Sequence, residues 1–259
     1  MLRTCQPELL DSLPADDPGA IGSRRDLRRL NFWMGNARFI TNALRSFLPN
    51  KPEQKILEIG AGDGSLLLKI ASRLDRNSSR RTAILLDRQE IVTSTAHAQF
   101  QALNWELETV KADIFEFLQN AFGRTSSRES PFFYDAIVAN LFLHHFSTRE
   151  LTDLFRLAQR RTSLLIAVEP RRSALSLLAG RFVWAIGCNA VTRHDAMVSI
   201  RAGFSGHELS SLWPQGDGWI CEERSAGLFS HLFIARRPPH ALSARGEGRS
   251  ERELLDFSI

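Results

Sequence analysis

Cysteine is scarce in this 259-residue chain. Cys5, Cys188 and Cys221 are scattered without metal-ligand spacing and leave an odd count, which argues against a zinc motif or a disulfide framework and fits a reducing compartment, the cytoplasm. Long hydrophobic runs are missing too. The longest, residues 174–188, is interrupted by Arg181 and falls short of the ~20 residues a membrane span needs. Residues 1–11 hold no apolar segment of the signal-peptide kind. Charge of one sign is not in excess: 33 basic residues face 29 acidic ones, a formal +4. The densest basic group, Arg24, Arg25, Arg28 and Arg29, lies on a predicted helix and reads as a solvated face rather than a nucleic-acid surface. There is no internal repeat and no attached RNA-binding module. Nucleic acid is not an expected partner; peripheral membrane contact and oligomeric state stay open.

The remaining length suits one elaborated domain with a large core. Residues 1–22, with three prolines and two glycines and no periodicity, read as a flexible arm. Ser23-x-x-Asp26 reads as a helix start, and Leu27, Leu30, Met34, Ala37, Ile40, Leu44 and Phe47 carry helical spacing through residue 48. Apolar strands are expected at 55–59, 82–86, 105–111, 134–139 and 164–168. Helices are expected between them at 64–75, 90–103, 115–121 and from Thr148, where Ser147-x-x-Glu150 forms a capping box. Five alternations of strand and helix imply a parallel sheet covered on both faces. Residues 123–131 read as a surface loop. The pattern then changes to a helical insertion over 171–215, with an apolar helix at 173–187, a second helix to Ala202 and a third capped by Ser205-x-x-Glu208. A hairpin at 217–237 follows, turning at Ser225-Ala226-Gly227, and then a polar tail over 238–259.

The stretch Lys55-Ile56-Leu57-Glu58-Ile59-Gly60-Ala61-Gly62-Asp63-Gly64 organises the chain. An apolar strand runs into an acid, then three alternating glycines, then a helical run. Such glycines permit positive φ and close approach of a ligand to the backbone. A dinucleotide fingerprint would need glycine at position 65, where Ser65 stands, and no Gly-Lys-Ser/Thr follows for a phosphate loop. The arrangement acid-x-Gly-x-Gly-x-Gly resembles the first motif of class I S-adenosylmethionine-dependent methyltransferases. Polar residues also close the later strands: Asp87, Asp113, Asn140 and Glu169. Over 53–170 the first four strand ends resemble that family's motifs, and the small-molecule, quinone- or polyketide-type bacterial members in particular.

The resemblance implies a Rossmann-like class I methyltransferase sandwich. Its seven-stranded sheet would be mostly parallel with an antiparallel C-terminal strand, and the helix at 23–48 would cover the substrate side. It implies S-adenosylmethionine as cofactor. Gly60, Ala61, Gly62 and Gly64 would pass beneath the methionine part, with Glu58 orienting its ammonium. Asp87 would take both ribose hydroxyls and Arg88 lie over the adenine. Asp113 would reach the adenine amino group with Ile114 on the ring, and Asn140 and Leu141 would close the site. Asp87 and Asp113 also read as helix N-caps, and Asn140 as a turn residue.

The implied reaction is methyl transfer to an O or C atom of a small acceptor. A hydroxyl acceptor needs a base, and histidine suits that role near neutral pH. His145 and His144 follow the fourth strand in a segment that resembles the quinone-biosynthesis members. His194, next to Asp195 on the insertion, is a further candidate, although adjacent residues on a helix do not face each other. No metal is expected: Glu169 and Asn140 lack an evident third ligand. The apolar insertion, with Phe32, Trp33 and Met34, reads either as buried core or as the lining for an aromatic or lipid-like acceptor. The alternatives are a methyltransferase acting on RNA or protein, and a non-catalytic cofactor-binding partner. No Asn-Pro-Pro-aromatic motif follows strand four, which disfavours methylation of a base amino group.

Overall fold

The computed structural model describes residues 1–49, 51–74, 80–120, 133–216 and 218–238. The expected loop at 123–131 and the tail from 239 onward lie outside them. Seven strands form one sheet: β1 (Glu53–Ile59), β2 (Arg80–Asp87), β3 (Trp105–Lys111), β4 (Ala136–Asn140), β5 (Leu164–Pro170), β6 (Ile220–Ala226) and β7 (Ser230–Arg236). Their order is β3-β2-β1-β4-β5-β7-β6. The first five are mutually parallel, and β7 inserts antiparallel between β5 and β6. The order reverses between β1 and β4, and ligands of open parallel sheets bind beyond the carboxyl ends at such a switch point.

Alternate residues of each strand point to opposite faces, so the sheet builds two cores. Ile56, Ala83, Leu85 and Val138 pack with Ile40 and Leu44 of α3 (Asn36–Phe47), with Leu67 and Ile70 of α4 (Ser65–Ala71), and with Phe100 of α5 (Ser94–Ala102). On the other face Leu57, Ile59, Ile84 and Ile137 pack with Leu118 of α6 (Ile114–Asn120) and with Leu151, Leu154 and Phe155 of α7 (Thr148–Ala158). The Ser147–Glu150 capping box of α7 is present.

Four expectations need correction. Residues 1–22 do not form a loose arm. Arg3 donates to the carbonyls of Ala202, His144 and Phe146, and α1 (Leu9–Ser12) presents its first N–H groups, Leu9 and Leu10, to the Asp195 carboxylate at 2.8 and 3.0 Å. Buried polar anchors hold this segment, and they leave no hydrophobic period in the sequence. The helix expected over 23–48 begins earlier and breaks. Asp17 caps α2 (Pro18–Met34), with Pro18 at a position whose missing N–H costs nothing, and Gly35 at φ +73° stops it and starts α3. The apolar helix at 173–187 is also broken, into α8 (Ala174–Gly180) and a 3₁₀ turn (Val183–Ile186) closed by Gly187. It is not wholly buried: Leu175, Leu178, Phe182 and Trp184 are exposed, as are Phe32 and Trp33 of α2. Finally, Glu208 accepts from the Ser205 N–H and pairs with Arg172, but Ser205 caps nothing, because α10 (Glu208–Leu212) starts only at Glu208.

The hairpin forms, but Ser225 and Ala226 belong to β6, so the turn is Gly227-Leu228-Phe229, two residues later than read from the sequence. α9 (Ala190–Ala202) packs against α1, α2 and α8 over the sheet's carboxyl edge. Among the described residues no helix is long and apolar enough to cross a membrane.

Candidate functional site

The turn after β1 is built by three glycines at φ +65° (Gly60), +55° (Gly62) and +73° (Gly64), and each has a different reason to lack a side chain. A Cβ on Gly60 would lie 2.2 Å from the Phe142 ring, and one on Gly64 would lie 2.4 Å from Leu85. A Cβ on Gly62 would meet no protein atom within 4 Å. Two of the glycines therefore serve packing, and Gly62 alone opens onto free space. The Ala61 N–H donates to the Leu86 carbonyl at 3.1 Å, and the Gly62 N–H to Asp87 Oδ2 at 2.8 Å. Asp87 is thereby bound to the turn, while its Oδ1 accepts from the Gln89 N–H at 2.9 Å. Arg88 is exposed beside it.

Glu58 is buried, and its Oε2 has no hydrogen-bond partner among the described residues. Burial, and then the nearby charge of Asp63, pushes its pKa well above the usual carboxylate range. A cationic group brought to this edge would supply what that carboxyl lacks. Asp113 Oδ1 accepts from the Phe115 and Glu116 N–H groups, so one of its oxygens does cap α6. Ile114 is buried in the second core. Leu141 sits at φ +51°, one of two non-glycine residues with positive φ among those described, and donates to the Val168 carbonyl. Strain of this kind concentrates at functional sites.

The α2–α3 break covers this edge through contacts that the sequence did not reveal. Arg28 pairs with Asp63 of the glycine turn at 2.6 Å. Asn36, fully buried, donates to Asn140 Oδ1 at 2.8 Å and to Asn31 Oδ1 at 3.0 Å, and accepts from Ser230. Asn140 donates to Asn31 at 3.2 Å. Asn31 and Asn36 carry no spacing that singles them out; their role follows from the helix break at Gly35.

Glu169, at the end of β5, is fully buried and organises the segment after β4. Its Oε1 accepts from the Phe142 and Leu143 N–H groups at 3.0 and 2.9 Å, and its Oε2 lies 2.8 Å from His144 Nδ1. His144 Nε2 faces Glu8 Oε1 at 3.1 Å. His144 is 3% exposed and held between two carboxylates, so neither of its nitrogens is available to an acceptor. Burial disfavours its charged form, but the hydrogen bonds to Glu169 and Glu8 outweigh that and raise its pKa to about 9. Glu8 is likewise disfavoured by burial yet held below the usual carboxylate range by His144. His145 is different: its side chain is 23% exposed, with Nδ1 3.1 Å from Asp11 Oδ2. His194 stands apart on α9. Contrary to the expectation from helix geometry, its Nδ1 does reach the adjacent Asp195 Oδ1, at 2.9 Å.

The clasp between Glu8 and His144 predicts a pH dependence. The folded pKa of His144 lies above its unfolded value of about 6.5, so the charged pair contributes fully below that pH and is lost as pH rises through about 9. Glu8 is shifted downward, so its share is lost as acid protonates it. Raising the pH from 7 to 10 should lower the melting temperature of wild type more than that of Glu8→Gln, which keeps only the part of the His144 shift that Glu169 supplies. Parallel melting curves for the two proteins would contradict the pairing.

No protein-family model and no curated protein sequence matches the chain. Solved structures do. Mitomycin 7-O-methyltransferase matches with TM-score 0.53 at 15% identity, over 88% of this chain and 60% of that one. The N,N-8-amino-8-demethyl-D-riboflavin dimethyltransferase of Streptomyces davawensis gives 0.51 at 15%, over 90% and 62%. An O-methyltransferase family protein of Burkholderia thailandensis gives 0.51 at 14%, over 86% and 64%. The fold is that of the class I methyltransferases. The chain spans about six-tenths of the length of these methyltransferase structures.

Proposed function

We propose that this chain transfers a methyl group from S-adenosylmethionine to an oxygen or carbon atom of a small, apolar or aromatic acceptor. The observation that carries the reading is the free space at Gly62, whose N–H is held by Asp87, together with the buried Glu58 Oε2 that has no partner among the described residues, on the strand leading into the turn. The residues present fit the cofactor: an acidic edge suits a ligand bearing an ammonium, a sulfonium and two vicinal hydroxyls. A carboxylate has about four lone-pair positions, so Asp87 can hold the Gly62 and Gln89 N–H groups and still accept from two hydroxyls. Asp113 has Oδ2 for the adenine amino group once Oδ1 has capped α6. The bound cofactor supplies a methyl already activated on sulfur.

The chain then has to align the acceptor, exclude water and, for a hydroxyl, remove a proton. His145 suits the last task better than His144, since Asp11 holds its Nδ1 and leaves Nε2 as the proton acceptor. The rings of Phe115, Phe142 and Phe146 pack edge to face at 5.1 and 5.6 Å next to it, which favours an apolar or aromatic acceptor. The similar structures named above are those of a mitomycin 7-O-methyltransferase and an 8-amino-8-demethyl-D-riboflavin dimethyltransferase, which supports a small acceptor.

Asp87→Ala should weaken S-adenosylhomocysteine binding by about one to three orders of magnitude, since two hydrogen bonds to a charged group are each worth roughly 1.5–3 kcal/mol. It should also loosen the glycine turn, whose Gly62 N–H loses its acceptor. Unchanged affinity in calorimetry would remove Asp87 from the site. Transfer itself is tested by incubating cell extract with the protein and isotopically methyl-labelled donor. A labelled small molecule is expected in the mass spectrum. Label only in RNA or protein would overturn the acceptor class, and cofactor binding without any label would point to a non-catalytic partner.

A further inference from the structure

We propose that Glu8, His144 and His145 form a binding site for a divalent transition-metal ion of the zinc type, closed by the N-terminal arm. Their ligand atoms all lie within 4.8 Å of one another. His144 Nε2 and Glu8 Oε1 are 3.1 Å apart, close to the roughly 3.3 Å separating two ligands of a tetrahedral ion with bonds of about 2.0–2.1 Å. The outer contacts point the same way. Metal-binding histidines characteristically give their second nitrogen to a carboxylate, which fixes ring orientation and raises basicity. Both histidines have this arrangement: His144 Nδ1 on Glu169 at 2.8 Å and His145 Nδ1 on Asp11 at 3.1 Å. Their ring centroids lie 4.3 Å apart, and with each Nδ1 on a carboxylate each histidine keeps Nε2 for a common ion. Glu169 is itself fixed by the Phe142 and Leu143 N–H groups, and Glu8 by the Ser199 hydroxyl. Two imidazoles and one carboxylate suit zinc, cobalt or nickel better than magnesium or calcium.

The site joins Glu8 of the arm to the link after β4, so a bound ion would pin the arm across the carboxyl edge. The ligand role and the base role of His145 use the same nitrogen, so metal loading takes His145 out of proton transfer. Metal binding itself does not depend on the methyltransferase reading.

The test uses full-length protein stripped with chelator and titrated with Co²⁺ at neutral pH. Saturable visible absorption at one ion per chain is expected, displaced by Zn²⁺ and not by Mg²⁺, with a rise in melting temperature. Glu8→Ala and His145→Ala should each lower affinity by at least about a hundredfold. Asp11→Asn, which touches only the outer nitrogen, should lower it about tenfold. His97→Ala, an exposed histidine on α5, should leave affinity within twofold. Absence of Co²⁺ absorption in the wild type would overturn the proposal, as would equal affinity in wild type, Glu8→Ala and His145→Ala.

Discussion

Gly62→Val is expected to reduce S-adenosylhomocysteine binding below detection in a protein that still folds. The new side chain meets no protein atom within 4 Å, so it fills space the cofactor would occupy. The backbone sits at φ +55°, where a β-branched residue is strained by roughly 1–2 kcal/mol. Gly206 provides the matched control: its φ is +61°, a Cβ there also meets nothing, and it lies on the loop before α10. Gly206→Val should show the same loss of melting temperature and retain full affinity. If Gly62→Val binds as tightly as Gly206→Val, the space at Gly62 is not where the ligand sits.

His145→Ala should lower turnover by about 10²–10⁴ with cofactor affinity nearly unchanged, if the acceptor is a hydroxyl that needs help to ionise. Asp11→Asn should lower turnover less, because it removes only the group that orients the ring. The comparison is made at saturating cofactor in chelator-treated enzyme, alongside His194→Ala. Loss confined to His194→Ala would move the base to the pair it forms with Asp195. Near-normal turnover in both would leave alignment and the acceptor's own acidity as the mechanism. His144→Ala is a poor probe of catalysis, since it strips a buried cation from between Glu8 and Glu169 and should destabilise the arm instead.

The parts of this fold governed by local pattern were legible in the sequence. Apolar runs placed β1, β2, β4 and β5, and β3 falls at the expected residues although Glu106, Glu108, Thr109 and Lys111 interrupt it. The capping box located the start of α7. The glycine turn and the polar strand ends were readable for the same reason: a parallel sheet sends its strand termini to one edge. Long-range polar contacts were not readable. Glu8 lies 136 positions from His144, in a stretch whose lack of periodicity suggested no structure, because its anchors are charge pairs and helix caps rather than a hydrophobic stripe. The asparagine cluster of Asn31, Asn36 and Asn140 was hidden likewise. So was the division of labour among the glycines, since the partners of Gly60 and Gly64 are Phe142 and Leu85, far along the chain. Glu8 was hidden from the two histidines in the same way, since only the folded arm brings it to them.

The most direct test is calorimetric titration of the purified chain with S-adenosylhomocysteine and, separately, with NAD. The account predicts one-to-one binding of S-adenosylhomocysteine and no measurable heat with NAD, because Ser65 stands where a dinucleotide turn needs glycine. Tighter binding of NAD than of S-adenosylhomocysteine would contradict it.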